Sequence, residues 1–202
     1  MDGTDRRTFH NGTFLSYGDQ AAVAKPKHSW SEMLGPTLLK ASGESAPTDE
    51  VLKGKRQVAL YFSGSWCPWC RALAPKFEST IMKVKEADPD DTEVVYIPAD
   101  ADAEAFAASF SGKPWPAMPY ERSQGIDQPP VGFVRKKIRE EQGKPMGTLQ
   151  EKYKLTALPR IVVLDGETGE VKNEMFLKEV SDKAADGHEF APNAPVSWLS
   201  AL

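Results

Sequence analysis

Short apolar runs alternate with segments of helical periodicity through the middle of the chain. Residues 57–62 form an apolar run with β-branched and aromatic members between polar flanks, which predicts a buried strand. The segment after it carries apolar residues at steps of three and four, which predicts an amphipathic helix buried through Leu73, Phe77, Ile81 and Val84. Pro68 suits the first turn of this helix, whereas Pro75 lies inside it and is expected to kink it.

The same patterns predict the remaining regular elements. Two more buried strands are expected at residues 93–97 and 160–164, and a strand at 170–177 is expected to close a hairpin with the second of them. Two short helices are expected at residues 103–110 and 148–153. Thr148 is the predicted N-cap of the last helix. Near the start, residues 29–42 predict a short helix broken at Gly35-Pro36, followed by a polar loop.

Three segments lack such periodicity. Residues 1–28 are interpreted as an irregular N-terminal arm, and the polar, proline-rich tail begins at Ser181. Residues 123–146 predict a long loop or inserted segment that carries a basic cluster of Arg135, Lys136, Lys137 and Arg139. We therefore expect one domain at 29–202 with a central mixed sheet flanked by helices, in which the first two strands pair in parallel.

Composition narrows the class of protein. The chain has 202 residues, 40% of them hydrophobic and 27% charged, with a net charge of −4. This balance gives no reason to expect binding to nucleic acid or to an anionic membrane. No apolar run reaches the roughly 20 residues of a membrane span, and the first residues lack the apolar region of a secretory signal. A cytoplasmic monomer is the resulting expectation.

The two cysteines, Cys67 and Cys70, lie at the junction of a predicted strand and a predicted helix. A disulfide across so small a loop stabilises a fold little, which favours reactivity over stapling. The free N–H groups and the dipole at the helix N-terminus favour the thiolate of Cys67, the expected nucleophile. Cys70, one turn later and more buried, is the expected resolving thiol. Arg71 either adds positive potential there or points into solvent.

Other uses of the cysteine pair remain open. A structural zinc ion needs four ligands, and the histidines His10, His28 and His188 are not paired at ligand spacing. A cluster shared between two chains and an inert pair are further alternatives. The acidic residues Asp100, Asp102 and Glu104 are interpreted as ordinary charges at the start of a helix.

Several motifs in order resemble one branch of the thioredoxin superfamily. The segment FSGSWCPWCRALAPKFES resembles the active-site segment of tryparedoxins and nucleoredoxins, whose usual motif is WCPPC. The resemblance continues in GKPWPAMPYE, in LPRIVVLDGETGEV and in EVSDKAADGHEF, so it runs patchily from residue 53 to residue 190. It implies a thioredoxin-like fold with an N-terminal extension and an insertion before the strand that begins at a cis-proline.

The resemblance also implies site residues and partners. Trp66, Cys67, Pro68 and Cys70 match the active motif, and Arg71 matches the basic residue after it. The flanking positions of the family are matched by Trp115 and by Pro159, which follows Leu158 and is implied to be the cis-proline facing the cysteines. The implied activity is reduction of protein disulfides, such as those of peroxidases, with electrons from trypanothione or another small dithiol and no further cofactor.

Several positions depart from the family pattern. Trp69 replaces the second proline between the cysteines and forms either a flat surface toward substrate or a cover on the helix. Tyr61 stands where many thioredoxins carry a buried carboxylate, so a proton acceptor for Cys70 must come from elsewhere or from water. Residues 123–146 form a longer segment than tryparedoxins have, with a basic cluster that is either a solvated face or a surface for an acidic partner.

The leading hypothesis is a disulfide reductase that uses Cys67 and Cys70. One alternative is a protein-binding module whose affinity depends on redox state and which turns over little. The other is a dimer bridged by a cluster.

Overall fold

The computed structural model describes residues 28–126 and 128–176. Predictions for the N-terminal arm before residue 28 and for the tail after residue 176 lie outside the described residues. These include His10, His188 and the tail part of the family resemblance.

Six strands and seven helices are assigned in the described ranges. In chain order they are α1 (Trp30–Leu34), β1 (Thr37–Leu39), β2 (Ser45–Pro47), α2 (Thr48–Val51), β3 (Gln57–Ser63), α3 (Pro68–Ala87), β4 (Thr92–Pro98), α4 (Ala103–Phe110), α5 (Tyr120–Gln124), α6 (Lys136–Gln142), α7 (Thr148–Lys152), β5 (Arg160–Asp165) and β6 (Val171–Phe176). None of these helices is long and apolar enough to cross a membrane.

The main sheet has the strand order β4-β3-β5-β6. Strands β3 and β4 pair in parallel, whereas β5 runs antiparallel to both β3 and β6. The predicted mixed sheet, parallel first pair and closing hairpin are therefore confirmed. Every residue of β3 and of β4 is buried, as expected for strands covered on both faces.

Alternate residues of β3 pack into two separate hydrophobic layers, one on each face of the sheet, because successive side chains of a strand point to opposite faces. Ala59 and Tyr61 pack with α3 and α4 on one face. Leu60 and Phe62 pack on the other face with α1, α7 and the chain that enters α6. Both cysteines belong to this second layer, whereas Leu73, Phe77 and Ile81 further along α3 belong to the first, so the site lies at the start of α3.

Helix α3 follows the prediction closely. Its first residue is Pro68, and its buried face includes the predicted Leu73, Phe77, Ile81 and Val84. Pro75 lies inside the helix, which continues to Ala87.

Two predicted loops contain regular structure. The polar stretch before residue 51 holds β2 and α2, and β2 pairs with β1 in a small antiparallel ribbon. The expected loop at 123–146 is wrong in part, because α6 lies inside it and residues 131–134 are buried beneath it. Three-residue strands and seven-residue helices show too few repeats for periodicity to reveal them.

The predicted N-cap of α7 is also wrong. Gly147 is the N-cap and makes no side-chain capping bond, and Thr148 is the first helical residue. A Cβ atom at Gly147 would collide with the backbone of Gly132, so the chain crosses here at a distance that only glycine permits. This crossing fixes residues 131–134 against the start of α7.

Candidate active site

The end of β3 delivers the cysteine pair to the N-terminus of α3. Cys67 is the N-cap of this helix, and its Sγ accepts a hydrogen bond of 3.3 Å from the backbone N–H of Cys70. The backbone N–H of Cys67 donates to the Gly64 carbonyl at 3.0 Å, which closes the loop before the helix. Both thiols are free and buried, with 4% of Cys67 and 2% of Cys70 exposed.

The chain before β5 lies against the sulfur of Cys67. The Leu158-Pro159 peptide bond is cis. The Cys67 thiol lies 3.7 Å from the Leu158 carbonyl oxygen, to which it donates a weak hydrogen bond. The end of β3 and the start of β5, which are adjacent antiparallel strands, thus bring Cys67 and the Leu158-Pro159 turn together.

Burial dominates the ionisation of Cys70. It raises the pKa of this thiol, and the hydrogen bond and charge of Cys67 raise it further. Ser63 and the Gly64 backbone act in the opposite direction. Cys70 is consequently held as a neutral thiol near neutral pH.

A cavity of about 250 Å³ opens beside Cys70. Its wall includes Tyr61, Tyr96 and Ser109. The Tyr61 hydroxyl is buried and has no hydrogen-bond partner in the described part of the chain. Burial raises the pKa of this phenol, so Tyr61 stays neutral in the position where a carboxylate would stand in many thioredoxins.

A buried carboxylate nevertheless lies behind this cavity. Asp100 has 0% exposure and accepts hydrogen bonds from the Tyr96 hydroxyl at 2.7 Å, the Ser65 N–H at 2.8 Å and the Ser109 hydroxyl at 3.4 Å. Burial and the neighbouring Asp100 raise the pKa of Tyr96. The carboxylate therefore ties the active-site loop to β4 and α4.

Sequence reasoning missed the role of Asp100. Its interpretation as a charge at a helix start holds for Asp102, whose side chain caps α4 by accepting from the Ala105 N–H at 2.8 Å. Asp100 instead points into the interior. The available signal was its place just after β4, because the carboxyl ends of adjacent parallel strands meet at one edge of the sheet.

Two tryptophans form the exposed surface beside the cysteines. Trp69 is 64% exposed and Trp66 is 41% exposed. The indole N–H of Trp66 donates to the Ala99 carbonyl at 2.6 Å, across a gap that a Cβ atom at Gly64 would fill. Trp66 is thus held in one orientation, whereas Trp69 presents most of its ring to solvent.

The other predicted site residues have structural contacts. Arg71 is exposed and donates to the Ser65 carbonyl at 2.9 Å. Trp115 is buried between Tyr61 and Phe77, with ring centroids 5.9 and 5.5 Å away, and lines the cavity from behind. Pro68 occupies the first position of α3, where its missing N–H costs no hydrogen bond.

The segment before α6 also reaches the site. The Arg135 guanidinium carbon lies 4.8 Å from the centroid of the Trp66 ring. This contact places the first residue of the basic cluster, Arg135, at the edge of the surface that Trp66 and Trp69 form beside the cysteines. As for metal binding, residues 28–126 and 128–176 contain no group of three or more His, Cys, Asp or Glu side chains that could hold an ion.

Residues 54–128 match the model of a family described as thioredoxin-like. Bovine nucleoredoxin is 27% identical over an alignment that covers 99% of this chain and 41% of the relative. Mouse nucleoredoxin is 37% identical over 58% of this chain and 27% of the relative. The chain thus spans about two fifths or less of the length of these relatives.

Solved structures give the same fold. A thioredoxin from Wuchereria bancrofti superposes with a TM-score of 0.54 and 26% identity, covering 84% of this chain and 98% of that one. Tryparedoxin I from Crithidia fasciculata gives a TM-score of 0.56 and 22% identity, covering 80% of this chain and 95% of that one. At that identity, the likeness to tryparedoxin shows the fold alone.

Proposed function

Because the chain matches the thioredoxin-like family model and is similar in sequence to nucleoredoxins, we propose that it belongs to the tryparedoxin- and nucleoredoxin-like branch of the thioredoxin superfamily and reduces disulfide bonds in protein substrates. The observation that carries the proposal is the placement of Cys67. Its sulfur caps α3, receives the Cys70 N–H and lies against the turn at Leu158-Pro159. A thiol at a helix N-terminus is a favourable nucleophile for disulfide exchange.

The reaction takes place in two exchanges. The Cys67 thiolate attacks one sulfur of the substrate disulfide, the substrate S–S bond breaks, and the released thiolate takes up a proton. Cys70 then loses its proton and attacks Cys67, which breaks the mixed disulfide and releases the second substrate thiol. The enzyme ends with a Cys67–Cys70 disulfide, having passed two electrons to the substrate.

The raised pKa of Cys70 sets the order of these steps. As a neutral thiol it does not compete with Cys67 for the substrate. In the mixed disulfide, Cys67 no longer has a free thiol, so the hydrogen bond and charge that raise the Cys70 pKa are removed. Cys70 then becomes easier to deprotonate at the moment when resolution requires it.

A small dithiol, trypanothione or another, is the proposed donor that restores the reduced pair, and peroxidases are one proposed class of substrate. No cofactor beyond the cysteine pair enters this scheme. A cytoplasmic location, where thiols are kept reduced, belongs to the same proposal.

The test is the rate of insulin-disulfide reduction with dithiothreitol or trypanothione as donor. The wild type should turn over repeatedly, Cys67→Ser should abolish activity, and Cys70→Ser should accumulate a mixed disulfide visible by mass spectrometry. Lys137→Gln, at an exposed position of α6, keeps both thiols and serves as the control for handling and oxidation. A folded, fully reduced wild type without activity would contradict the proposal.

A binding module with little turnover is the second candidate, favoured by the 64% exposure of Trp69 beside the cysteines. In that case the wild type would not reduce insulin. The Cys67→Ser variant would bind a partner protein with the same affinity as the wild type. A coloured dimer that loses its colour in Cys67→Ser would instead indicate the bridging cluster.

A further inference from the structure

Arg135 stands over the ring of Trp66, the residue immediately before the proposed nucleophile. The contact distance of 4.8 Å is that of a cation–π interaction. Both partners are anchored to the protein. Trp66 donates a hydrogen bond to the Ala99 carbonyl, and Arg135 follows a run of buried residues. The guanidinium is therefore placed at a defined point beside the cysteines.

The anchoring of Arg135 is built from backbone contacts. The N–H of Val134 donates to the Gln150 side-chain oxygen at 3.1 Å, and the N–H of Leu149 donates to the Val131 carbonyl at 2.7 Å. Val131, Phe133 and Val134 are buried. This strap joins the start of α6 to the core, so Arg135 is anchored through the buried residues that precede it, whereas α6 has no buried residue.

The guanidinium of Arg135 has unused hydrogen-bonding capacity. It makes no hydrogen bond or ion pair with other residues in the described ranges, and it is partly exposed. Stacking on an aromatic ring uses the face of a guanidinium and leaves the N–H groups at its edge free. Such a fork matches a carboxylate, which it can bind through two parallel hydrogen bonds.

Neighbouring charges do not supply that carboxylate. Lys136 and Lys137 lie 3.6 and 3.7 Å from Glu140 and Glu141 along α6, so these acidic groups have partners on their own helix. Besides burial, Asp102 and Glu121 raise the pKa of Tyr120, whereas Arg135 lowers it, so all three charges lie near this ring. Asp102 is occupied in capping α4, and within the described residues neither carboxylate forms an ion pair with Arg135. Arg135 consequently has no ion-pair partner among residues 28–126 and 128–176.

We propose that Arg135 is a specificity-determining residue that binds an acidic side chain next to the disulfide of a polypeptide substrate. The inference rests on the proposed reductase function and adds a substrate class to it. A carboxylate at this point holds the substrate beside Trp66, and so beside Cys67, before the exchange begins.

The test compares two disulfide-linked peptides that differ only in Asp or Asn next to the cystine. The wild type should prefer the Asp peptide about fivefold in kcat/KM, the order of magnitude of an exposed charge pair. Arg135→Gln should bring this ratio to about one, and Arg135→Lys should keep part of it, because a lysine retains the charge without the fork. Added salt should lower the wild-type ratio.

Lys137→Gln is the matched control, since it removes the same charge from a neighbouring exposed position; it should keep the wild-type ratio. Equal wild-type rates on both peptides would overturn the inference and leave the reductase function intact. Reduction of neither peptide by the wild type would instead overturn the reductase function and the inference with it. Glutathione disulfide is a small substrate that also carries carboxylates, so its reduction is measured as well. If Arg135→Gln lowered kcat/KM for glutathione disulfide and not for the Asp peptide, the assignment to polypeptide substrates would be overturned.

Discussion

The hydroxyl of Tyr96 donates a hydrogen bond of 2.7 Å to the carboxylate of Asp100, and both groups are buried behind the cavity that adjoins Cys70. The same carboxylate accepts the N–H of Ser65, two residues before Cys67. The buried side chain of Asp100 thus connects the loop that carries Cys67 with Tyr96 of β4. The geometry of the cysteine loop depends on that acceptor.

Asp100→Asn should therefore destabilise the fold by about 1–3 kcal/mol, because an amide NH₂ group would face donors that now meet a carboxylate. Urea unfolding of the reduced protein measures this difference. Asp102→Asn is the matched control: it makes the same chemical change at an exposed N-cap, where Asn is as good as Asp, and should cost little. Equal losses in the two variants would contradict a structural role for the Asp100 network.

The raised pKa of Cys70 predicts a pH dependence of stability. The folded state holds this proton more tightly than the unfolded chain, in which the pKa of a cysteine is about 8.5. The free energy of unfolding of the reduced protein should be constant below that pH and fall as the pH rises through it. We expect a loss of about 1 kcal/mol by about pH 9.5.

Urea unfolding in the presence of a phosphine reductant measures this loss, with Cys70→Ser as the comparison. The variant should show a flatter profile between about pH 7.5 and 9.5, below the range where the buried Tyr61 and Tyr96 begin to matter. A wild-type profile as flat as that of the variant would show that Cys70 titrates like a free thiol.

The core of the fold could be predicted from the sequence because its elements are long and strongly patterned. The strand at 57–62, the helix beginning at Pro68 and the helix at 103–110 all occur within one residue of expectation at their starts. The strand is a short continuous apolar run, and the two helices bury residues at steps of three and four. The cysteine pair could be placed for the same reason, since it lies between two such elements.

The rest depends on contacts between distant parts of the chain. Asp100 resembles a helix-start charge in sequence, and only the pairing of β3 with β4 brings it behind the cysteine loop. Arg135 resembles part of a solvated basic cluster, and only the strap through Val131 and Val134 carries it to Trp66. For Asp100 the position just after a predicted parallel strand is a signal only once the strand pairing is known, and Arg135 has no such signal in the amino-acid pattern.

Trp66→Phe tests whether the indole N–H fixes the active-site surface. Phenylalanine cannot donate to the Ala99 carbonyl, which would then lose its partner at a buried residue, so we expect a loss of about 1 kcal/mol. Trp69→Phe changes the same side chain at an exposed position and should stay within about 0.5 kcal/mol of the wild type. Thermal unfolding of both variants measures the difference, and equal effects would contradict the anchoring role of Trp66.

Asp165 predicts a second pH dependence, at the hairpin between β5 and β6. The Thr168 N–H, the Lys172 ammonium and the Glu167 N–H hold the pKa of this carboxyl at about 2. Because the folded pKa is below the unfolded one, this stabilisation is present above about pH 4 and is lost as the pH falls toward 2. After allowance for solvent screening, we expect Asp165→Ala to cost about 1 kcal/mol at neutral pH and much less near about pH 2.

Urea unfolding between these pH values measures the Asp165 contribution. Lys172→Gln removes only the ion pair of 3.0 Å and should give an intermediate loss, since the backbone donors remain. If Asp165→Ala lowered stability equally at neutral pH and near about pH 2, the loss would come from packing of the turn. The assigned ionisation of Asp165 would then be wrong.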